Sequence, residues 1–149
     1  MPRPSILVTR RLPASAVALL KTAGDVHVLD SSPDAVALRQ AVAGRAALVS
    51  MLTDKIDTAL LDAAGPSLKV VANVAVGFDN IDLAAARDHH VVVTNTPDVL
   101  TNSVAEFTWA LILAVARRLV EGDRLIRRKG WTGWSFDFMT GTELAGKQL

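Results

Sequence analysis

The residues best suited to chemistry lie between Lys69 and Asp82, in the stretch KVVANVAVGFDNID. Lys69 to Asn73 is a compact β-branched and apolar run, the composition of a strand buried on both faces. Gly77 then breaks the pattern, and Asp79-Asn80-Ile81-Asp82 supplies side chains that cap and charge the start of a helix. A buried parallel strand that ends in a glycine turn and feeds a helix is where open α/β sheets place small ligands. Without a Cβ at Gly77, backbone N–H groups can close on an anion such as a carboxylate. The same residues also suit an ordinary strand-to-helix turn, and this stretch alone is compatible with both readings.

Other chemistries lack their residues. There is no cysteine, which excludes disulfides, thiolate nucleophiles and cysteine-ligated metal, and fits a cytoplasmic protein. The histidines are His27, in a strand, and the adjacent His89-His90 near a helix end; none has a ligand partner at metal spacing, so no metal is expected. Gly-x-Ser-x-Gly, P-loop and Gly-x-Gly-x-x-Gly patterns do not occur, so neither a serine triad nor a complete dinucleotide site is expected in these residues. No catalytic residue is assigned.

Sixteen basic against fifteen acidic residues in a chain of 149 argue against a nucleic-acid or anionic-membrane surface. Half of the residues are hydrophobic and only 5% aromatic, so the core is expected to be Ala, Val and Leu. The longest apolar run, Trp109 to Ala116, has 8 residues, far short of the roughly 20 that a membrane helix needs. Arg10-Arg11 precedes too short an apolar patch for a twin-arginine signal, and the N-terminus reads as mature structure.

The elements that must position the central stretch alternate strictly. Strands are expected at Ser5–Thr9, Asp25–Leu29, Ala46–Ser50, Lys69–Asn73 and Val91–Thr94. Helices fall between them: from Pro13 to Gly24, from Ser32 through Val42, over Ile56–Ala64, and from Asp82 through Arg87. Short connections between them indicate parallel βαβ units. The expectation is a flavodoxin-like, doubly wound parallel five-stranded sheet forming a domain over residues 1–97. A phospho-receiver would need acidic residues after its first strand, and a flavodoxin a hydroxyl-rich phosphate loop; Thr9-Arg10-Arg11 is neither.

Residues 98–149 differ in character. A single helix is expected from Ser103 to Ile126, with a Ser103–Glu106 capping box and an apolar stripe of Val104, Phe107, Leu111, Val115 and Leu119. Such a helix spans about 36 Å, too long to cover this sheet, so its apolar face must meet another domain or subunit. Gly130 to Gly141 is an irregular aromatic arm with the composition of an interface.

Taken together, VTRRLP, NVAVGFDNID and VVVTNTPDVLTNSVAEFTWALILAVARR resemble the NAD(P)-dependent D-2-hydroxyacid dehydrogenases. GWTGW and GTELAGKQL are most similar to the glyoxylate/hydroxypyruvate reductase branch. The resemblance covers essentially the whole chain and implies an oxidoreductase about twice as long, using NAD or NADP and a Rossmann domain beyond Leu149. It implies that Val76 and Gly77 bind the substrate carboxylate through their amides, and that Leu52, beside Met51, walls the substrate pocket. It also implies that Thr101, together with Val76, touches the cofactor, and that Trp134 reaches a neighbouring subunit's pocket. The family's catalytic arginine, glutamate and histidine have no counterparts here. The expectation is the substrate-binding portion of a reductase of a small 2-oxo acid, inactive alone. It would be homodimeric through Ser103–Ile126 and the Trp131–Trp134 arm, with no nucleic-acid or membrane partner. The alternative is a stand-alone, non-catalytic α/β ligand-binding or dimerisation module.

Overall fold

Alternate residues of the expected strands go to opposite faces of one sheet. The computed structural model describes residues 2–148 and divides into two units, Met1–Asp98 and Val99–Leu149. The first unit runs β1 (Ser5–Val8), α1 (Ala14–Ala23), β2 (Asp25–Val28), α2 (Ala35–Val42), β3 (Ala47–Met51), α3 (Thr58–Ala64), β4 (Val70–Val74), α4 (Leu83–Asp88) and β5 (Val92–Thr94). All pairings are parallel, in the order β2-β1-β3-β4-β5, so the strand order reverses between β1 and β3. This is the doubly wound sheet expected from the alternation.

Leu7, Leu48 and Val71 lie on one face and pack against Leu38 and Val42 of α2, Leu60 and Leu61 of α3, and Ala85 and Ala86 of α4. Ile6, Val8 and Val49 lie on the other face, against Leu12 and Leu20. Each fully buried Leu, Ile or Val among them contributes about 1.5–3 kcal/mol relative to its exposed state. Aspartates open three of the helices. Asp34, rather than Ser32, caps α2 by accepting from the amides of Val36 and Ala37. Asp57 caps α3 and Asp82 caps α4, accepting from Leu60 N at 3.1 Å and Ala85 N at 2.9 Å. The Leu60 amide, with Lys55 alongside, holds the Asp57 carboxyl below its ordinary range.

The second unit departs from the sequence reading. The single helix expected over Ser103–Ile126 is two helices, α5 (Thr101–Ala116) and α6 (Leu119–Arg127), because Arg118 adopts the left-handed conformation at φ 54° and ψ 37°. The irregular arm provides the physical reason. Thr142 N donates to Ala116 O at 2.7 Å, capturing a carbonyl that a continuous helix would bond to its own next turn. Gly141 lies so close that a Cβ there would stand 2.5 Å from Ala116 O. The Ser103–Glu106 capping box does not form either: α5 starts two residues earlier, after Leu100, with no side-chain cap. Arg118 instead pairs with Glu121 in the first turn of α6, where a carboxylate is favoured.

Candidate functional site

β3 and β4 are neighbours in register, Met51 opposite Val74, so the loops leaving their carboxyl ends emerge side by side. The β4 loop, Ala75 to Phe78, is held through its carbonyls. Ala75 O accepts from Thr96 N at 2.8 Å, Val76 O from Asn95 Nδ2 at 2.8 Å, and Gly77 O from Asn73 Nδ2 at 3.0 Å. No peptide bond here is cis, and in a trans peptide the N–H points opposite to the C=O. Tying these three carbonyls therefore turns the amides of Val76, Gly77 and Phe78 the other way. Among the described residues those amides have no acceptor. Val76 and Phe78 are 46% and 48% exposed, so the bend is open rather than packed shut. Where a turn curls successive free amides to one side, they can form an anion-binding concavity.

Gly77 does not have the left-handed backbone that would demand glycine. A Cβ there would meet only Asp79 Oδ2, at 3.4 Å, an ordinary contact. The fold by itself therefore tolerates a side chain at this position. A small recess of about 180 Å³, lined by Phe78, Leu83, Val93, Thr94 and Asn95, adjoins the carbonyl side of the bend, where Asn95 holds Val76 O.

The β3 loop is a tight turn from Met51 to Asp54, with Asp54 N donating to Met51 O at 2.9 Å. The buried Asp54 carboxylate accepts from Met51 N at 2.8 Å and from Thr9 Oγ1 at 2.5 Å, while Arg10 reaches both Asp54 and Thr53. A carboxylate buried with this many donors is compensated for its lost hydration. Leu52 sits at the corner of the turn and is 65% exposed. The structure thus brings Leu52, Val76 and Gly77 to adjacent loops at one end of the sheet.

Thr101 and Trp134 belong to the second unit. Thr101 is the exposed first residue of α5. Trp134 is 74% exposed and packs edge to face on Phe136, with ring centroids 4.5 Å apart. Sequence reasoning missed the residues that hold the loops: Asn73, Asn80, Ser50, Asp54, Thr9 and Asn95. The available signal was Asn73, a polar residue inside an otherwise apolar strand. Asn80, read as part of a helix cap, bonds the β3 loop instead.

No group of three or more metal-ligating side chains forms among the described residues. No helix of the described residues is long and apolar enough to cross a membrane.

Residues 6–145 match the family model described as D-isomer specific 2-hydroxyacid dehydrogenase, catalytic domain. A glyoxylate reductase of Aeropyrum pernix is 48% identical, the match taking in 100% of this chain and 46% of that protein. A glyoxylate reductase of Thermofilum pendens is 46% identical over 100% of this chain and 45% of its own length. Among solved structures, a Polaromonas protein described as a D-isomer specific 2-hydroxyacid dehydrogenase, NAD-binding, superposes with a TM-score of 0.87 at 32% identity. That superposition covers 97% of this chain and 46% of the other. The chain thus spans about half the length of the curated relatives it matches.

Proposed function

The chain belongs to the D-isomer specific 2-hydroxyacid dehydrogenase family, and on that premise we propose that it is the substrate-binding portion of an oxidoreductase. The reaction is reduction of a small 2-oxo acid, glyoxylate or hydroxypyruvate, to the D-2-hydroxy acid with NAD(P)H. One observation carries this reading: three consecutive amides, at Val76, Gly77 and Phe78, stay unpaired while the matching carbonyls are all tied down. The names of the two glyoxylate reductases support the choice of a small acid.

In this mechanism the substrate carboxylate accepts from the Val76 and Gly77 amides, with Phe78 N–H beside them. Hydrogen bonds to an ionised acceptor are the stronger kind, and donors fixed in advance need no reorganisation when the acid arrives. Leu52 covers the apolar side of the acid and limits its size. NAD(P)H, when bound, supplies the hydride that C2 receives. On this reading the cofactor would be touched by Thr101, whose exposed hydroxyl has no partner among the described residues, and by Val76, whose aliphatic side chain is exposed, each within its own unit. The proton that completes the new hydroxyl, and the cation opposite the amides, are assigned to no residue of this chain. The chain alone is accordingly expected to bind acid without turning it over.

The second unit is proposed to make a homodimer through α5, α6 and the arm. No residue of either helix is buried, and Val104, Phe107, Leu111, Val115, Trp131 and Trp134 are all exposed. Trp134 would then stand near the partner subunit's substrate pocket.

The test of the reaction is NAD(P)H consumption by the full-length protein supplied with glyoxylate or hydroxypyruvate. Substrate-dependent oxidation is expected with at least one of them. Saturable acid binding without any oxidation would instead favour a non-catalytic binding module.

A further inference from the structure

Asn80 reaches the β3 loop directly and the β4 loop through Asn73. Its Nδ2 donates to Asp54 O at 2.9 Å and to Met51 O at 3.2 Å, the carbonyls at the two ends of the turn that carries Leu52. Its Oδ1 accepts from Asn73 Nδ2 at 3.1 Å, and that same Nδ2 donates to Gly77 O. Ser50 Oγ completes the network on Asn73 Oδ1 at 3.0 Å, deep in the sheet. The far ends of the loops are joined separately by backbone: Ile56 N donates to Asn80 O and Asp82 N to Ile56 O, each at 2.8 Å. Backbone bonds therefore register the outer ends of the loops, and one side-chain amide pair registers the ends that face the site.

We propose that Asn80 is a positioning residue, setting the distance between the Leu52 side chain and the Val76 and Gly77 amides. It would thereby set the length of acid that fits between them. This rests on the reading that those amides hold a carboxylate. The physical case comes from what survives loss of the side chain. Met51 O keeps the Asp54 amide, the Ile56–Ile81 bridge keeps its backbone bonds, and the half-buried Asn80 is not part of either apolar core. The fold persists, while the two walls lose their common tether. A tight turn and a bend on separate strands then drift by fractions of an ångström, the scale at which a small rigid ligand is selected.

The test is titration of the wild-type chain, Asn80→Ala and Asn80→Asp with glyoxylate and with the longer 2-oxobutyrate, followed through backbone amide NMR signals. Asn80→Asp fills the same volume but cannot donate, so it serves if Asn80→Ala fails to fold. Both variants are expected to bind glyoxylate roughly tenfold more weakly, the scale of about one lost hydrogen bond. They should also discriminate less between the two acids. In the wild type, the Asn80 side-chain NH₂ signals should shift with the same midpoint as the Gly77 amide. A lower thermal midpoint with unchanged affinity and unchanged preference would make Asn80 merely structural and overturn the inference, leaving the carboxylate reading intact. Asn80 signals that stay still while the Gly77 amide shifts would also overturn it. No saturable shift in the wild type would overturn the carboxylate reading, and this inference with it.

Discussion

Gly77 separates the demands of folding from those of binding at the scale of one residue. Its backbone is not left-handed, and an added Cβ would make only an ordinary contact with Asp79. Gly77→Ala should therefore change stability by no more than about 0.5 kcal/mol, as at an unremarkable surface position. A methyl group beside the free amides should nonetheless obstruct an incoming carboxylate and weaken glyoxylate binding severalfold. Thermal melting and ligand titration of the same variant check the two halves. Gly77 could be picked out in the sequence because a glycine after a buried strand is a local signal, whereas Val76 and Leu52 are singled out only by the family resemblance. The work of Asn73 and Asn80 could not be picked out, because the carbonyls they hold belong to loops from two strands. An asparagine three residues before an alanine-rich helix looks like a cap until Asp82 is seen doing that job.

Elements show where periodicity misleads. The apolar stripe from Val104 to Leu119 implies one helix, but the break at Arg118 depends on an arm that returns from more than twenty residues later. Gly141 is what permits the return, since a Cβ would press on the Ala116 carbonyl. Gly141→Ala should displace the arm at a cost of about 1–3 kcal/mol, typical of overpacking. Faster hydrogen exchange at the Thr142 amide is the expected signature. Within the first unit, His89 ties α4 to α3. One ring nitrogen faces Ala85 O and the other faces Asp62 Oδ1, each at 2.8 Å. Both partners accept, so only the imidazolium satisfies both. The Ala85 carbonyl first, and the Asp62 carboxylate second, raise the His89 pKa above its ordinary 6.5. The folded state then holds the proton more tightly than the unfolded chain. The stabilisation is fully present below about pH 6.5 and is lost as pH rises through the higher folded value. Urea midpoints measured across that range should fall for the wild type, and His89→Ala should remove His89's share of the fall.

For the whole molecule, the strict alternation of strands and helices made the first unit legible, because parallel βαβ units admit few arrangements. The placing of the loops at one end follows from that alternation. What covers the second unit was legible only as a need. Large apolar side chains such as Phe107, Val115, Trp131 and Phe136 stay exposed within it, which fits the proposed dimer surface. Light scattering at micromolar concentration should give twice the chain mass, and Phe107→Asp together with Val115→Asp should reduce it to one. A monomeric wild type would refute the dimer while leaving the candidate site in the first unit untouched.

The central claim is that the amides after β4 receive a small acid's carboxylate, and a crystal structure with glyoxylate bound tests it most directly. The prediction is carboxylate oxygens within about 2.7–3.2 Å of Val76 N and Gly77 N, with the Leu52 side chain against the ligand's other end. Glyoxylate bound elsewhere, with those amides still facing solvent, would contradict it.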